Sequence, residues 1–316
     1  MFLDSFKVMS FAAIQVFLLG AIGYFLVKKN IINSDGISTL TRLVIEVTLP
    51  IFIFCQLVRN FSFSLYSDWW VFPLISVSVT VIGFVVGVLF TKFIQDTQYK
   101  RQFLSLVTFQ NAGYLPLALT VALLPKDKAT SMFIYIFLFL LGFNLTMWSI
   151  GVSMLAFSKT RGFEWKNLFS PPVIATIFSL LFIFFGLNKF LSEVILKPLE
   201  MTGDCTLPLA ILIVGGNLAE IQLINIHKKE ILLVLLVKLV ILPLLGLLLV
   251  TRFKLPQLLG FLILIQLAMP PATSLSIIIK HYKKEDLLIS QGIFFGHLAS
   301  LITVPLFLSL YRTFAI

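Results

Sequence analysis

Apolar residues in this chain run in long unbroken blocks. Neither the 3.6-residue stripe of a surface helix nor the strict alternation of a half-buried strand recurs along it. A helix needs roughly 20 apolar residues to cross the hydrocarbon of a bilayer. Blocks of that kind lie near 8–27, 37–57, 69–91, 103–124, 131–156, 171–187, 197–218, 231–251, 257–279 and 289–311. The pattern predicts an all-α integral membrane protein with about ten transmembrane helices. The longest connections are about a dozen residues, which leaves no room for a separate soluble domain.

Composition agrees with the pattern. Hydrophobic residues make up 59% of the 316, the mean hydropathy is +1.03, and 12% are charged. A soluble surface carries about twice that share of charge. The net charge of +10 does not point to nucleic acid, because the basic residues sit in short connections between apolar blocks. There they act as topology determinants and meet anionic lipid headgroups. The connections after the odd-numbered blocks carry Lys28, Lys29, Arg42, Lys92, Lys100, Arg101, Lys159, Arg161, Lys166, Lys228, Lys229, Lys280, Lys283 and Lys284. The opposite side carries fewer: Lys7, Arg59, Lys126, Lys128, Lys189, Lys197, Arg252, Lys254 and Arg312. The richer side is expected to be cytoplasmic, with both termini extracytoplasmic. The first block is too long for a signal-peptide core and lacks a small-residue cleavage site, so it reads as a retained span. Cys55 and Cys205 both fall inside apolar blocks and are expected to be plain thiols.

Two strings recur at nearly one offset. Glu46-Val-Thr48-Leu-Pro50 in the second block matches Asp204-Cys-Thr206-Leu-Pro208 in the seventh. In the fourth block, Asn111 precedes Pro116 by five residues; in the ninth, Gln266 precedes Pro271 by the same interval. The second block therefore matches the seventh, and the fourth matches the ninth. The repeat unit is five spans, an odd number, so the second copy enters the membrane inverted. The expected division is an N-terminal repeat over 1–156, a short cytoplasmic linker over 157–170 and a C-terminal repeat over 171–316.

The fourth and ninth blocks also carry helix breakers at mid-membrane: Gly113 with Pro116, and Pro270 with Pro271. Proline removes a backbone donor and clashes with the preceding turn. Irregular backbone at this depth survives where protein or a wet cavity satisfies it. Each break exposes a half-helix N-terminus, whose free N–H groups and dipole attract an anion. Gln110, Asn111, Gln266, Thr273 and Ser274 add uncharged hydrogen-bonding groups nearby. Brought together by the repeat, the breaks would form a compact midplane site suited to a carboxylate.

These segments resemble the auxin efflux carrier family, which includes malonate and malate permease-like bacterial members. The resemblance rests on TFQNAGYLPLAL (108–119), CTLPLAILIVGGNLA (205–219), VKLVILPLLGLLL (237–249), LAMPPATSLSII (267–278) and ITVPLFLSLY (302–311), in that order. It implies an elevator-type secondary transporter of small organic anions, such as malate, malonate or auxin-like acids. Spans 1, 2, 6 and 7 would form a scaffold. Spans 3–5 and 8–10 would move, with spans 4 and 9 crossing at their breaks and Asn111 beside the substrate carboxylate. The short 157–170 connection resembles compact members, so a bacterial inner membrane is the expected location.

Charges inside the membrane default to functional hypotheses. Lys238, in the eighth block, offsets substrate charge, occupies the place a sodium ion takes in related sodium-coupled carriers, or forms a structural ion pair with an acid on a neighbouring span. Glu46 and Asp204 are candidates for coupling a proton or sodium ion. Arg42, one turn before Glu46, offers a local partner instead, and Asp204 is also placed to cap a helix. His297 is either a proton relay or a histidine hydrogen-bonded within the bundle. No HExxH metal signature or Walker A loop is present, so no metal, cofactor or direct ATP drive is expected. Two alternatives remain at this point: a sodium-coupled symporter of the bile-acid type, and a membrane receptor or intramembrane enzyme. Membrane lipid and a second copy of the chain are the expected macroscopic partners.

Overall fold

The computed structural model describes residues 2–156, 168–281 and 287–314. The linker residues 157–167, with Lys159, Arg161 and Lys166, lie outside the described residues, as do Lys283 and Lys284. Among the described residues, seven helices are long and apolar enough to cross a membrane. They are α1 (Phe2–Lys28), α2 (Ser34–Asn60), α3 (Val71–Phe93), α6 (Lys126–Leu155), α8 (Glu193–Ala219), α9 (Lys228–Phe253) and α12 (Leu287–Phe314). Shorter helices fill the intervals: α4 (Thr97–Thr108), α5 (Tyr114–Leu123), α7 (Pro171–Phe184), α10 (Gln257–Ala268) and α11 (Ser274–His281). The fourth and ninth apolar blocks are thus split helices, α4–α5 and α10–α11. Their breaks cover 109–113 and 269–273.

Local chemistry explains the helix ends. The Asn33 side chain accepts the Gly36 N–H at 2.8 Å and starts α2; the Asp96 carboxylate accepts Gln98 and Tyr99 N–H at 2.6 and 3.2 Å and starts α4. Prolines shape the interiors. Ahead of Leu49-Pro50 and of Leu242-Pro243, α2 and α9 each widen into one π turn, over Val44–Thr48 and Val237–Ile241. The wider turn makes room for the proline ring where an α turn would collide with it. In α8 the chain turns at Cys205, just before Thr206-Leu-Pro208.

α1 packs along α8, and α2 packs along α7 and α8. α3 packs on α4 and α6, while α9 packs on α10 and α12. The α1–α8 contact is a crossing of small residues. A Cβ on Gly215 would sit 1.8 Å from the Gly20 carbonyl oxygen, and one on Gly23 would sit 2.0 Å from that of Leu212. With no hydrophobic drive between helices in lipid, such close backbone contact is what holds helices together. α2 and α8 meet where Gly203 abuts the Phe52 backbone, 3.0 Å from a would-be Cβ. Their ends are clamped by Arg59, which forks onto both Glu193 oxygens at 2.7 Å and also binds Glu200. Elsewhere large apolar side chains face outward, among them Phe11, Val85, Phe178 and Ile302, as a lipid solvent permits.

Gly215→Ala is expected to force α1 and α8 apart, at a cost on the order of 1–3 kcal/mol. The readout is the thermal unfolding midpoint of the purified protein. A midpoint equal to wild type would contradict the close crossing.

Candidate functional site

The two breaks lie against each other. After Thr108 and after Ala268 the chain becomes extended, with Phe109 at φ −106°, ψ 116° and Met269 at φ −68°, ψ 144°. The extended segments pair antiparallel, with Gln110 opposite Pro271. Asn111 donates its N–H to the Pro270 carbonyl at 2.8 Å, and Ala272 donates to the Phe109 carbonyl at 3.0 Å. The Gln266 amide crosses to the Ala112 carbonyl at 3.0 Å. Each break thereby supplies hydrogen-bond partners that water cannot offer at this depth. Pro270 and Pro271 have no N–H to satisfy, which reduces the number of partners required.

Beside this pairing lies a cavity of about 190 Å³. Gln110, Asn111, Gly113, Thr273 and Ser274 line it, together with Thr41, Tyr114, Asn144, Trp148 and Asn217. No charged side chain lines it among the described residues. Gln110 and Asn111 are 1% and 5% exposed, and the NH₂ group of each has no partner among the described residues. α5 and α11 both begin at this cavity, with N-termini at Tyr114 and Ser274. A larger recess of about 580 Å³ shares Thr41, Ile45, Asn217 and Thr273 with it. That recess also includes Ser34, Arg42 and Glu220, at the start of α2 and the end of α8, so the cavity opens toward that face.

Several sequence candidates lie elsewhere. Pro116 stands in the first turn of α5, where its missing N–H is one of the unpaired donors in any case; the break is upstream of it. Gln266 serves the pairing of the breaks and does not line the cavity. Lys238 is buried in the π turn of α9, and its ammonium donates to the Val107 carbonyl at 2.9 Å. A carbonyl in the last turn of α4 stands where an acidic partner was one expectation. This carbonyl end of the helix is where a cation is electrostatically favoured. Lys238 does not line the cavity.

Glu46 is exposed and paired with Arg42 at 3.2 Å, one turn away. Asp204 is exposed at the end of α8's first segment, so it does not cap a helix start. With Pro208 it borders a different recess. Thr48 and Thr206 are buried between α2 and α8, and neither hydroxyl has a partner. Pro50 and Pro208 restart their helices just beyond them. His297 is buried in α12, its Nδ1 within 2.8 Å of the Ile293 carbonyl. It borders a membrane-facing recess and does not line the cavity, although its neighbour Gly296 packs on Pro271. Asn144 and Asn217 were not singled out from sequence. Each is an amide inside an apolar run, the signal that drew attention to Asn111.

The chain matches the family described as Membrane transport protein over residues 8–162 and 159–308. It is 23% identical to the protein named PIN-LIKES 7 of Arabidopsis thaliana, over 87% of this chain and 89% of that one. It is 24% identical to PIN-LIKES 1 of the same plant, over 87% and 73%. An uncharacterized transporter of Schizosaccharomyces pombe is 25% identical over 36% of this chain and 26% of its own. These matches set aside the receptor and intramembrane-enzyme readings. The chain belongs to this membrane transport protein family, that of the auxin efflux carriers, and is a multi-pass membrane transporter rather than an enzyme.

Proposed function

We propose that this transporter is a secondary carrier of small organic anions, and that the substrate carboxylate binds at the crossover of α4–α5 and α10–α11. The observation that carries this reading is the pair of buried, unpartnered amide donors on Gln110 and Asn111. A buried donor without a partner costs about 1–3 kcal/mol, and a carboxylate supplies acceptors for both. The N-termini of α5 and α11 add positive potential on the same cavity. An uncharged lining favours an anion that can also leave, because no fixed cation holds it. The cavity's 190 Å³ lies below the range of drug-sized pockets, about 300–1,000 Å³, and suits a small acid.

In this reading the split helices count as one span each and α7 as another. That gives ten spans, arranged as two inverted five-helix repeats over 1–156 and 171–316. α1, α2, α7 and α8 form the static scaffold and the remaining helices move as an elevator. A bacterial inner membrane with both termini outside is the matching location. The basic, cytoplasmic face is then the one onto which the cavity opens. A proton or sodium ion and a second copy joined through the scaffold complete the implied partners.

The first test is thermal stabilisation of the purified protein by a panel of mono- and dicarboxylates, with and without sodium, at two pH values. A carboxylate hit that disappears in Asn111→Ala is expected. Stabilisation by sodium alone or by an amphipathic steroid, with no small acid active, would overturn the reading in favour of the bile-acid type. Gln110→Ala and Asn111→Ala are each expected to weaken carboxylate affinity about tenfold or more, the worth of a hydrogen bond to a charged group. Wild-type uptake in both would remove the proposed site. Lys238→Met is expected to lower the unfolding midpoint as well as uptake, because it leaves the Val107 carbonyl without its partner. Loss of uptake with an unchanged midpoint would instead return Lys238 to a direct role with substrate.

A further inference from the structure

A second recess, of about 480 Å³, lies on a flank of the molecule between α1 and α8 on one wall and α5 and α12 on the other. Its walls are almost wholly apolar, with Ile14, Leu18, Phe25, Ile211 and Leu298 among them. Small residues hollow it. Gly20, Ala21 and Gly215, at the close crossing of α1 and α8, border it. Leu18, Phe25 and Leu298 on its rim are exposed, as are Ile22 and Ile302 on the same two helices. On a membrane protein that flank faces hydrocarbon.

The last turns of α1 lie at one end of the recess. Tyr24 borders it, and the Lys28 ammonium stands 5.6 Å from the centre of the Tyr24 ring. α1 ends at Lys28, and Lys29 follows. No acidic side chain among the described residues pairs with Lys28. The apolar lining suits a hydrocarbon chain, and the lysine one turn beyond Tyr24 suits a negative head.

We propose that this recess binds one acyl chain of an anionic phospholipid, with the headgroup phosphate at Lys28 beside Tyr24. Attraction between an anionic leaflet and lysines at a helix end supplies the headgroup preference, and burial of the chain against leucine, isoleucine and phenylalanine supplies the fit. Its two walls belong to the parts that the elevator reading holds still and moves, so a bound chain braces the sliding surface. That consequence rests on the proposed function; the binding itself does not.

Native mass spectrometry of the purified protein, given equal amounts of phosphatidylglycerol and phosphatidylcholine with identical chains, tests it apart from transport. Wild type is expected to retain phosphatidylglycerol about fivefold over phosphatidylcholine, the effect of one lysine beside an anionic head. Lys28→Glu is expected to abolish that preference. Ala21→Phe and Leu298→Trp, which fill the recess, are expected to reduce retention of both lipids. Leu298 is exposed, so its variant keeps the test usable if Ala21→Phe fails to fold. Equal retention of the two lipids by wild type, or undiminished retention by a folded recess-filling variant, would overturn the proposal.

Discussion

The antiparallel pairing of the two helix breaks is the constraint on which the rest of the molecule depends. Five residues of α4–α5 and five of α10–α11 leave helical geometry inside the bundle, most of them buried. Neither segment is satisfied alone. The bonds from Asn111 to Pro270 and from Ala272 to Phe109 make each break the partner of the other. The Gln266 amide adds a third link. A cavity lined by amide and hydroxyl groups is the direct result, because side chains flanking paired extended segments project beside them.

Electrostatics at the crossover comes from dipoles and amides. The N-terminal ends of α5 and α11 face the cavity, and no ionised side chain among the described residues joins them. The buried cation nearest in role, Lys238, binds the Val107 carbonyl at the opposite kind of helix end. It compensates the negative end of α4 where an interrupted helix would otherwise leave carbonyls unpaired. The break after α4 thus carries a lysine at its carbonyl end, while the N-terminal ends of α5 and α11 face the cavity.

Around this centre, α1, α2, α7 and α8 are held by other means. Glycines 20, 23 and 215 let α1 and α8 touch backbone to backbone. Arg59, Glu193 and Glu200 tie the ends of α2 and α8. Arg59 and Glu193 stand at helix ends, while Glu46 and Asp204 lie inside α2 and α8 with their side chains exposed.

Much of this was legible in the chain. Length and hydropathy of the apolar blocks set the helical membrane class, since each backbone group in hydrocarbon must bond within its own helix. The prolines at 270 and 271 and the glycine at 113 located both breaks to within a few residues, because their backbones cannot continue a helix at ordinary cost. Asn111 stood out as an amide in an apolar run; Asn144 and Asn217 carried the same mark and gained meaning only when folding put them on one cavity. Other features belonged to the tertiary structure alone. Sequence could not tell that Gln266 would spend its amide on Ala112, that Lys238 would meet a carbonyl, or that Glu46 and Asp204 would face outward. Hydrophobicity and backbone chemistry are local properties that each residue carries with it. The partner of a buried polar group is decided by which helix packs beside it, and that is settled only when the whole bundle closes.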